Sequence, residues 1–422
     1  ASPTLSRQVT EEFMRILQLC YNFAPRKTAR SGGELRYWQN LASLVELGYQ
    51  VDLVLFAAND EPQDDVRKLA SSITRIDPTD QSISRLESWK SLLFDEDARL
   101  FFFPESRGYQ EQVRSLVDKL SPDLIWADWI GSMNLIPYHL PVVYSHHDFL
   151  FKIKAVRNIV HNRNVSWADG VRLKKLEALE RELCKRASFI VCVSHSEHVQ
   201  LSESMPNSCY IPIVGPTIEP PVNHAAKGRI FLFGSGGNTA TRFSRRHLRR
   251  EIWPMLEKSK PDVEWHVVGR PEPKATDDWR WVEQNFRLHG FVEDLAGVFQ
   301  VGDASLIPYQ EDTGFRTKFV TAAGYGVINI GYEQTFRCAP EFTNGEDCLV
   351  ASTLSDMVAT LKSYAGDAAL RRRLGQASRD LYERQFSFEA QLNKYERVIT
   401  KMAQDALTIP NGSRVLDVAA AH

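Results

Sequence analysis

The chain has 422 residues, 43% of them hydrophobic and 25% charged, with a formal charge of −2. Such a length exceeds what one hydrophobic core usually organises and predicts two domains, while the near-neutral balance gives no general reason to expect nucleic acid as a partner. Six cysteines without a CxxC or Cys/His pair exclude a disulfide framework and structural zinc, and fit a reducing, cytoplasmic setting. The N-terminus shows no secretory-signal pattern, and no run of about 20 apolar residues predicts a membrane span.

In chain order, the first half alternates short apolar runs with amphipathic segments. RILQLC (Arg15–Cys20) predicts a strand, GELRYWQNLASLVELG (Gly33–Gly48) a helix closed by Gly48, and QVDLVLF (Gln50–Phe56) a second strand. Further strands are predicted at Asp123–Asp128, Pro141–His146 and Ser188–Ser194, with a charged helix over Val171–Arg186 before the last. Nearly continuous apolar strands separated by helices imply a parallel sheet covered on both faces. The loop PNSCYIPIVGPTIEPPVNHAAKG is rich in Pro, Gly and Asn and places a domain boundary near Pro220. A second series follows at Arg229–Gly234, Val263–Gly269, Arg287–Phe291, Asp303–Tyr309, Gly326–Gly331 and Cys348–Ser352. The expected organisation is one α/β domain over 1–220, another over 221–385, a helix over 386–406 packing back on the first, and a tail over 407–422. Both domains are expected to be doubly wound, Rossmann-like sheets. They would face each other across a cleft at the carboxyl ends of their strands, where ligands bind in such folds.

Several loops fall at that cleft. Gly32 and Gly33 lie between the first strand and its helix, where free N–H groups can approach a phosphate or sugar; a plain turn is the competing reading. In ADWIGS, Asp128 and Trp129 can bind an acceptor by hydroxyl and stacking contacts, although packing explains Trp129 equally well. In VVYSHHDF, His146 continues the alternation from Tyr144 and His147 is one step off it, so one faces inward and one outward. A histidine there can orient a hydroxyl or share a proton near neutral pH, and His147 is favoured. In FLFGSGGNTATRFSRRHLRRE, a glycine-rich turn precedes a helical stripe of Arg242, Arg245, Arg246, Arg249 and Arg250. Solvent, a diphosphate near Arg242, or an acidic lipid head group can relieve that repulsion. DTGFRTKFVTAAGYGVINI brings Gly314, Arg316 and Lys318 to a helix start, which makes either a phosphate cradle or a polar cap. Asp95–Glu96–Asp97 has the DxD form of a metal motif but sits in a charged stretch and reads as a solvated turn. Between Phe151 and Arg186, ten Lys/Arg face four Asp/Glu, which suits peripheral contact with an acidic membrane or a solvated helix face.

SGGELRYWQNLASLVELGYQVDLV, IFLFGSGGN, WPMLEKSKPDVEWHVVG, LHGFVEDL, LIPYQEDTGFRTKFVTAAGYGV and RRLGQASRDLYERQFS resemble, in order, the blocks of the GT-B glycosyltransferases. The nearest group is the retaining family 4, and the resemblance spans about residues 15–400. It implies transfer of a sugar from a nucleotide-diphosphate sugar to an acceptor hydroxyl, in glycan, glycolipid or small-molecule glycoside synthesis. It implies an acceptor-holding first domain, a nucleotide-holding second domain, and no metal or other cofactor. By motif, Gly32 and Gly33 would approach the diphosphate and sugar, and Gly234, Ser235, Arg242 and Gly269 would join the donor contacts. Phe291 and Val292 would border the base. The amides of Gly314, Phe315 and Thr317 would meet the β-phosphate, with Arg316 and Lys318 adding charge. His146 or His147 would sit beside the donor sugar. The family's two glutamates, eight positions apart, are replaced here by Thr313 and Thr321. That exchanges charged hydrogen bonds of about 1.5–3 kcal/mol for neutral ones of about 0.5–1.5 kcal/mol. Glu311 and Asp312 are then candidates for the sugar contact. Nucleotide-sugar 2-epimerases and non-catalytic nucleotide-sugar binders share the architecture and are the rival expectations.

Overall fold

The computed structural model describes residues 14–28, 31–56, 60–77, 85–94, 98–137, 140–160, 166–219, 221, 223–234, 236–258, 261–272 and 276–408. Apolar runs form two sheets in which every strand pairing is parallel. The first contains β1 (Arg15–Cys20), β2 (Gln50–Phe56), β3 (Ser72–Ile76), β4 (Leu124–Asp128), β5 (Val142–His146), β6 (Phe189–Cys192) and β7 (Ser208–Tyr210). Its spatial order is β3-β2-β1-β4-β5-β6-β7. The second contains β8 (Gly228–Phe233), β9 (Val263–Val268), β10 (Arg287–Leu288), β11 (Ala304–Ile307), β12 (Ile328–Tyr332) and β13 (Cys348–Ala351), in the order β10-β9-β8-β11-β12-β13. Strand order reverses between β1 and β4 in one sheet and between β8 and β11 in the other, and each reversal opens a crevice at the strands' carboxyl ends.

The central strands are buried on both faces, as unbroken apolar runs require, so helices must cover both sides. The helix Gly32–Glu46 starts at Ser31, whose side chain accepts the Glu34 N–H, and lays Tyr37, Leu41 and Leu44 into the core. The helix Phe388–Thr408 returns to the first domain, as expected. Tyr395 stacks on Trp126 at 5.7 Å and donates to Asn40 Oδ1 at 2.6 Å. Val398, Ile399 and Met402 join the same cluster.

Two strands had no counterpart in the sequence reading. β3 is an edge strand whose residues are mostly half-exposed, so SITRI carries no apolar run. β7, the opposite edge, lies inside the Pro- and Asn-rich stretch read as interdomain loop. The boundary expected near Pro220 falls between β7 and β8, although Pro220 itself, Ser235, Asp95–Glu96–Asp97 and everything after Thr408 lie outside the described residues. Among the described residues, no helix is long and apolar enough to cross a membrane. All six cysteines are free thiols, five of them buried.

Tyr395→Ala removes a fully buried ring and the Asn40 hydrogen bond together. The variant should lose about 3–5 kcal/mol of stability, read from the urea midpoint.

Candidate functional site

The helices Gly32–Glu46 and Thr317–Gly324 begin opposite one another, one in each domain. A Cβ placed on Gly32 would lie 3.1 Å from Thr317 Cγ2, so the two domains touch at two helix starts. Each start offers unpaired N–H groups and partial positive charge. Arg316, the cap residue of the second helix, makes no side-chain cap bond.

Lys318 leaves the first turn of that helix and lies over Gly234 at the end of β8. A Cβ on Gly234 would sit 2.7 Å from Lys318 Cε and 2.9 Å from its Nζ. The Nζ donates to Thr241 Oγ1 at 3.1 Å, and among the described residues no carboxylate pairs with it. Burial, then the charges of Arg316 and Arg245, bring its pKa down to about 7. Arg316 donates to Thr313 Oγ1 at 2.8 Å and lies 4.6 Å from the Tyr309 ring centre. The ends of β8 and β9 press together here: Gly269 has φ +135°, and a Cβ on it would overlap the Gly234 carbonyl oxygen.

On the facing side, His146 Nδ1 meets the Tyr144 hydroxyl at 3.2 Å and its Nε2 meets Glu197 Oε2 at 3.0 Å. The other Glu197 oxygen accepts the Gly314 N–H at 3.2 Å and the Phe149 N–H at 3.4 Å. Burial pushes the Glu197 carboxyl up, but the His146 hydrogen bond and charge, Lys152 and the Gly314 N–H outweigh it and hold it below its usual range. Gly314 has φ +55°, and a Cβ there would overlap Asp148 Oδ1, so only glycine fits. His147 points to the other side. Its ring meets Tyr37 edge-on at 5.3 Å, its Nε2 lies 4.0 Å from Asp128 Oδ1 without a hydrogen bond, and burial lowers its pKa. The two histidines do diverge, but both are buried, and the outward face expected for one of them is a second interior face.

Several expected contacts are placed elsewhere. Asp128, expected to meet an acceptor, is fully buried and accepts from Gln18 Nε2 and Asn40 Nδ2, each at 2.6 Å, so both of its oxygens serve the first-domain core. Trp129 stacks on Tyr21 at 5.6 Å and adopts φ +66°, a strained conformation for a bulky residue at the end of β4. The arginine stripe is relieved neither by solvent nor by a ligand alone. Buried Glu272 accepts Arg242 at 2.7 Å and Arg245 at 3.2 Å, and Arg249 pairs with Asp278 at 2.8 Å. Thr313 Oγ1 is shared by Tyr309 and Arg316, while Thr321 Oγ1 donates back to the Thr317 carbonyl at 3.1 Å. Both hydroxyls are thus already engaged within the second domain, where the resemblance implies glutamates. Asp312 accepts Ser196 Oγ at 2.6 Å, which already engages a candidate for the sugar contact. The Phe315 side chain is core, although its amide stays in the donor loop. Gly33 packs against Phe23, whose ring a Cβ would meet at 2.7 Å. Phe291 stands at the rim, 54% exposed under Arg270 at 5.2 Å, and Val292 packs against the cluster around Phe231 and Phe299.

Thr241, Glu272, Glu197 and Asp148 went unnoticed in the sequence. Glu197 in SHSEHV looks like any acidic residue in a first helical turn, and only the tertiary contact with Gly314 sets it apart.

Two family profiles match the chain: Glycosyltransferase Family 4 over residues 31–208 and Glycosyl transferases group 1 over residues 237–366. No curated protein matches it by sequence. Solved structures share its fold. Sucrose-phosphate synthase from Thermosynechococcus elongatus is 14% identical with a TM-score of 0.65, covering 93% of this chain and 100% of that one. Anabaena HepE in complex with UDP and glucose is 11% identical at 0.61, covering 92% and 100%. The lipopolysaccharide outer core galactosyltransferase WaaB is 12% identical at 0.57, also covering 92% and 100%.

Glu272→Ala would strand Arg245, which is 2% exposed, without its carboxylate. A loss of about 3–5 kcal/mol is expected in denaturant unfolding. Arg242→Ala should cost less, because that side chain is partly exposed.

Proposed function

We propose, since the chain belongs to the GT-B glycosyltransferases, that it moves a sugar from a nucleoside-diphosphate sugar to an acceptor hydroxyl with retention of configuration. One observation carries this reading. Lys318 is half-buried beside Arg316 and Arg245, at a helix start, with a hydroxyl as its only partner among the described residues. An anion entering that space would restore its charge, and a diphosphate matches both the cations and the free amides. HepE, described with UDP and glucose, lends support from a protein of like fold.

In this mechanism the diphosphate gathers negative charge as its bond to the anomeric carbon stretches. Lys318, Arg316 and the first-turn amides of Thr317–Gly324 stabilise that charge where it develops. The acceptor oxygen bonds to the anomeric carbon on the face the phosphate leaves, and the departing phosphate oxygen takes the acceptor's proton. No carboxylate nucleophile is assigned, in contrast to glycosidases with paired carboxylates. The cationic work falls to side chains and amides, so no metal is assigned to the reaction. The acceptor, a sugar, a lipid-linked sugar or a small molecule, approaches from the first domain. The free thiols are consistent with a reducing cytoplasm.

Thermal-shift screening with UDP, GDP, ADP and dTDP should give one nucleotide that raises Tm. Lys318→Ala and Arg316→Ala should each lower kcat about 10²–10³-fold with folding intact by circular dichroism. Wild-type turnover in both would remove them from the mechanism, and activity lost to EDTA and restored by Mn²⁺ would overturn metal independence. Because Lys318 titrates near pH 7 when free, it is largely neutral at pH 8 and charged at pH 6. Diphosphate binding should therefore take up close to one proton at pH 8 and almost none from this group at pH 6. Calorimetry in two buffers of different ionisation enthalpy measures this, with Lys318→Ala showing no such uptake.

A further inference from the structure

Asp148 follows the two histidines at the carboxyl end of β5 and stands at the gap between the domains. Its carboxyl group faces Gly314, two residues before Arg316, so closely that a Cβ at 314 would overlap Oδ1. It is partly buried, yet among the described residues it has neither a hydrogen bond nor an ion pair. The carboxylates around it are all engaged. Glu197 holds His146, Phe149 and Gly314; Glu180 accepts the Leu150 and Phe151 N–H groups at 2.7 and 2.9 Å; Asp312 accepts Ser196. A partly desolvated carboxyl with no partner is unfavourable, and proteins retain such groups where a ligand completes them.

Its aim is set by its neighbours. One oxygen of Glu197 takes both the Phe149 N–H, next to Asp148, and the Gly314 N–H across the gap. The two segments are thus held in a single register. The donor loop's own hydroxyls carry no charge and are already engaged, Thr313 with Tyr309 and Arg316 and Thr321 with the Thr317 carbonyl. A pyranose carries several adjacent hydroxyls, and one carboxylate can accept from two of them. Burial and the nearby Glu197 charge push the Asp148 carboxyl up to about 7, Arg316 and His146 oppose this, and Glu180 adds to it. Near neutral pH the group therefore both donates and accepts.

We propose that Asp148 is the residue that recognises the sugar ring of the donor, reaching across from the first domain to hydroxyls of a pyranose whose diphosphate lies on Arg316 and Lys318. This rests on the glycosyltransferase reading above and adds the residue that separates a sugar nucleotide from a bare nucleotide.

The test uses the full chain with Asp148→Asn and Asp148→Ala. For the nucleoside diphosphate selected among UDP, GDP, ADP and dTDP, calorimetry compares that nucleotide with its glucose, galactose, mannose and N-acetylglucosamine esters. Both variants are expected to bind the bare nucleotide within about twofold of wild type. They should bind the preferred sugar nucleotide about tenfold or more weakly, with the ranking among the sugars flattened. Neither should melt earlier than wild type at pH 8, because each removes an unpartnered charge. Sugar-nucleotide affinity and ranking unchanged in folded variants would overturn the proposal alone. Unfolding of both variants would make Asp148 a structural group and overturn it equally. A wild-type protein that binds none of the nucleotides would sink the glycosyltransferase reading, and this proposal with it.

Discussion

A half-buried cation beside other cations gives up its proton more readily, and an anion that joins it restores its charge. Lys318 is held in that way, wedged between Gly234 and Thr241 with Arg316 and Arg245 as its electrostatic neighbours. The surrounding backbone approaches it closely. Gly234 and Gly269 let the ends of β8 and β9 close on each other, and two helix starts meet at Gly32 and Thr317. The low local dielectric that strains the free site would strengthen every contact to an anion inside it. The proposed binding and chemistry would thus draw on one electrostatic imbalance.

The domains are tied at the same place. Three consecutive residues of the first domain reach the second: the His195 N–H donates to the Cys338 carbonyl at 3.0 Å, Ser196 Oγ to Asp312, and Glu197 accepts from Gly314. A second tie is the returning helix, whose Tyr395 links Trp126 to Asn40 and through Asn40 to Asp128. Asp128 is therefore the centre of a buried polar network rather than a cleft-facing group. A network this enclosed specifies how the first helix, β4 and the returning helix meet, because each member left unpaired would be costly.

Much of the fold was legible because buried parallel strands leave long apolar runs, and the central strands were read to within a residue or two. β3 and β7 escaped because edge strands are half-exposed and need no such run. In the site, Gly314, Arg316 and Lys318 stood out from local pattern, since a glycine and two cations at a helix start are visible in a few letters. Asp148 and Glu197 did not. Their meaning comes from Gly314, which is 166 and 117 positions away in sequence.

The letters alone determined that this protein has two parallel α/β lobes, a helical C-terminal segment, and a cationic helix start in the second lobe. Those features follow from periodicity, glycine placement and charge, which are local properties of a chain. Only the tertiary structure decided which charges were already satisfied. The arginine stripe found Glu272 and Asp278, His146 found Glu197, and Asp128 found Gln18 and Asn40, whereas Lys318 and Asp148 form no ion pair among the described residues. Pairing depends on distances across the fold, and sequence spacing does not encode them.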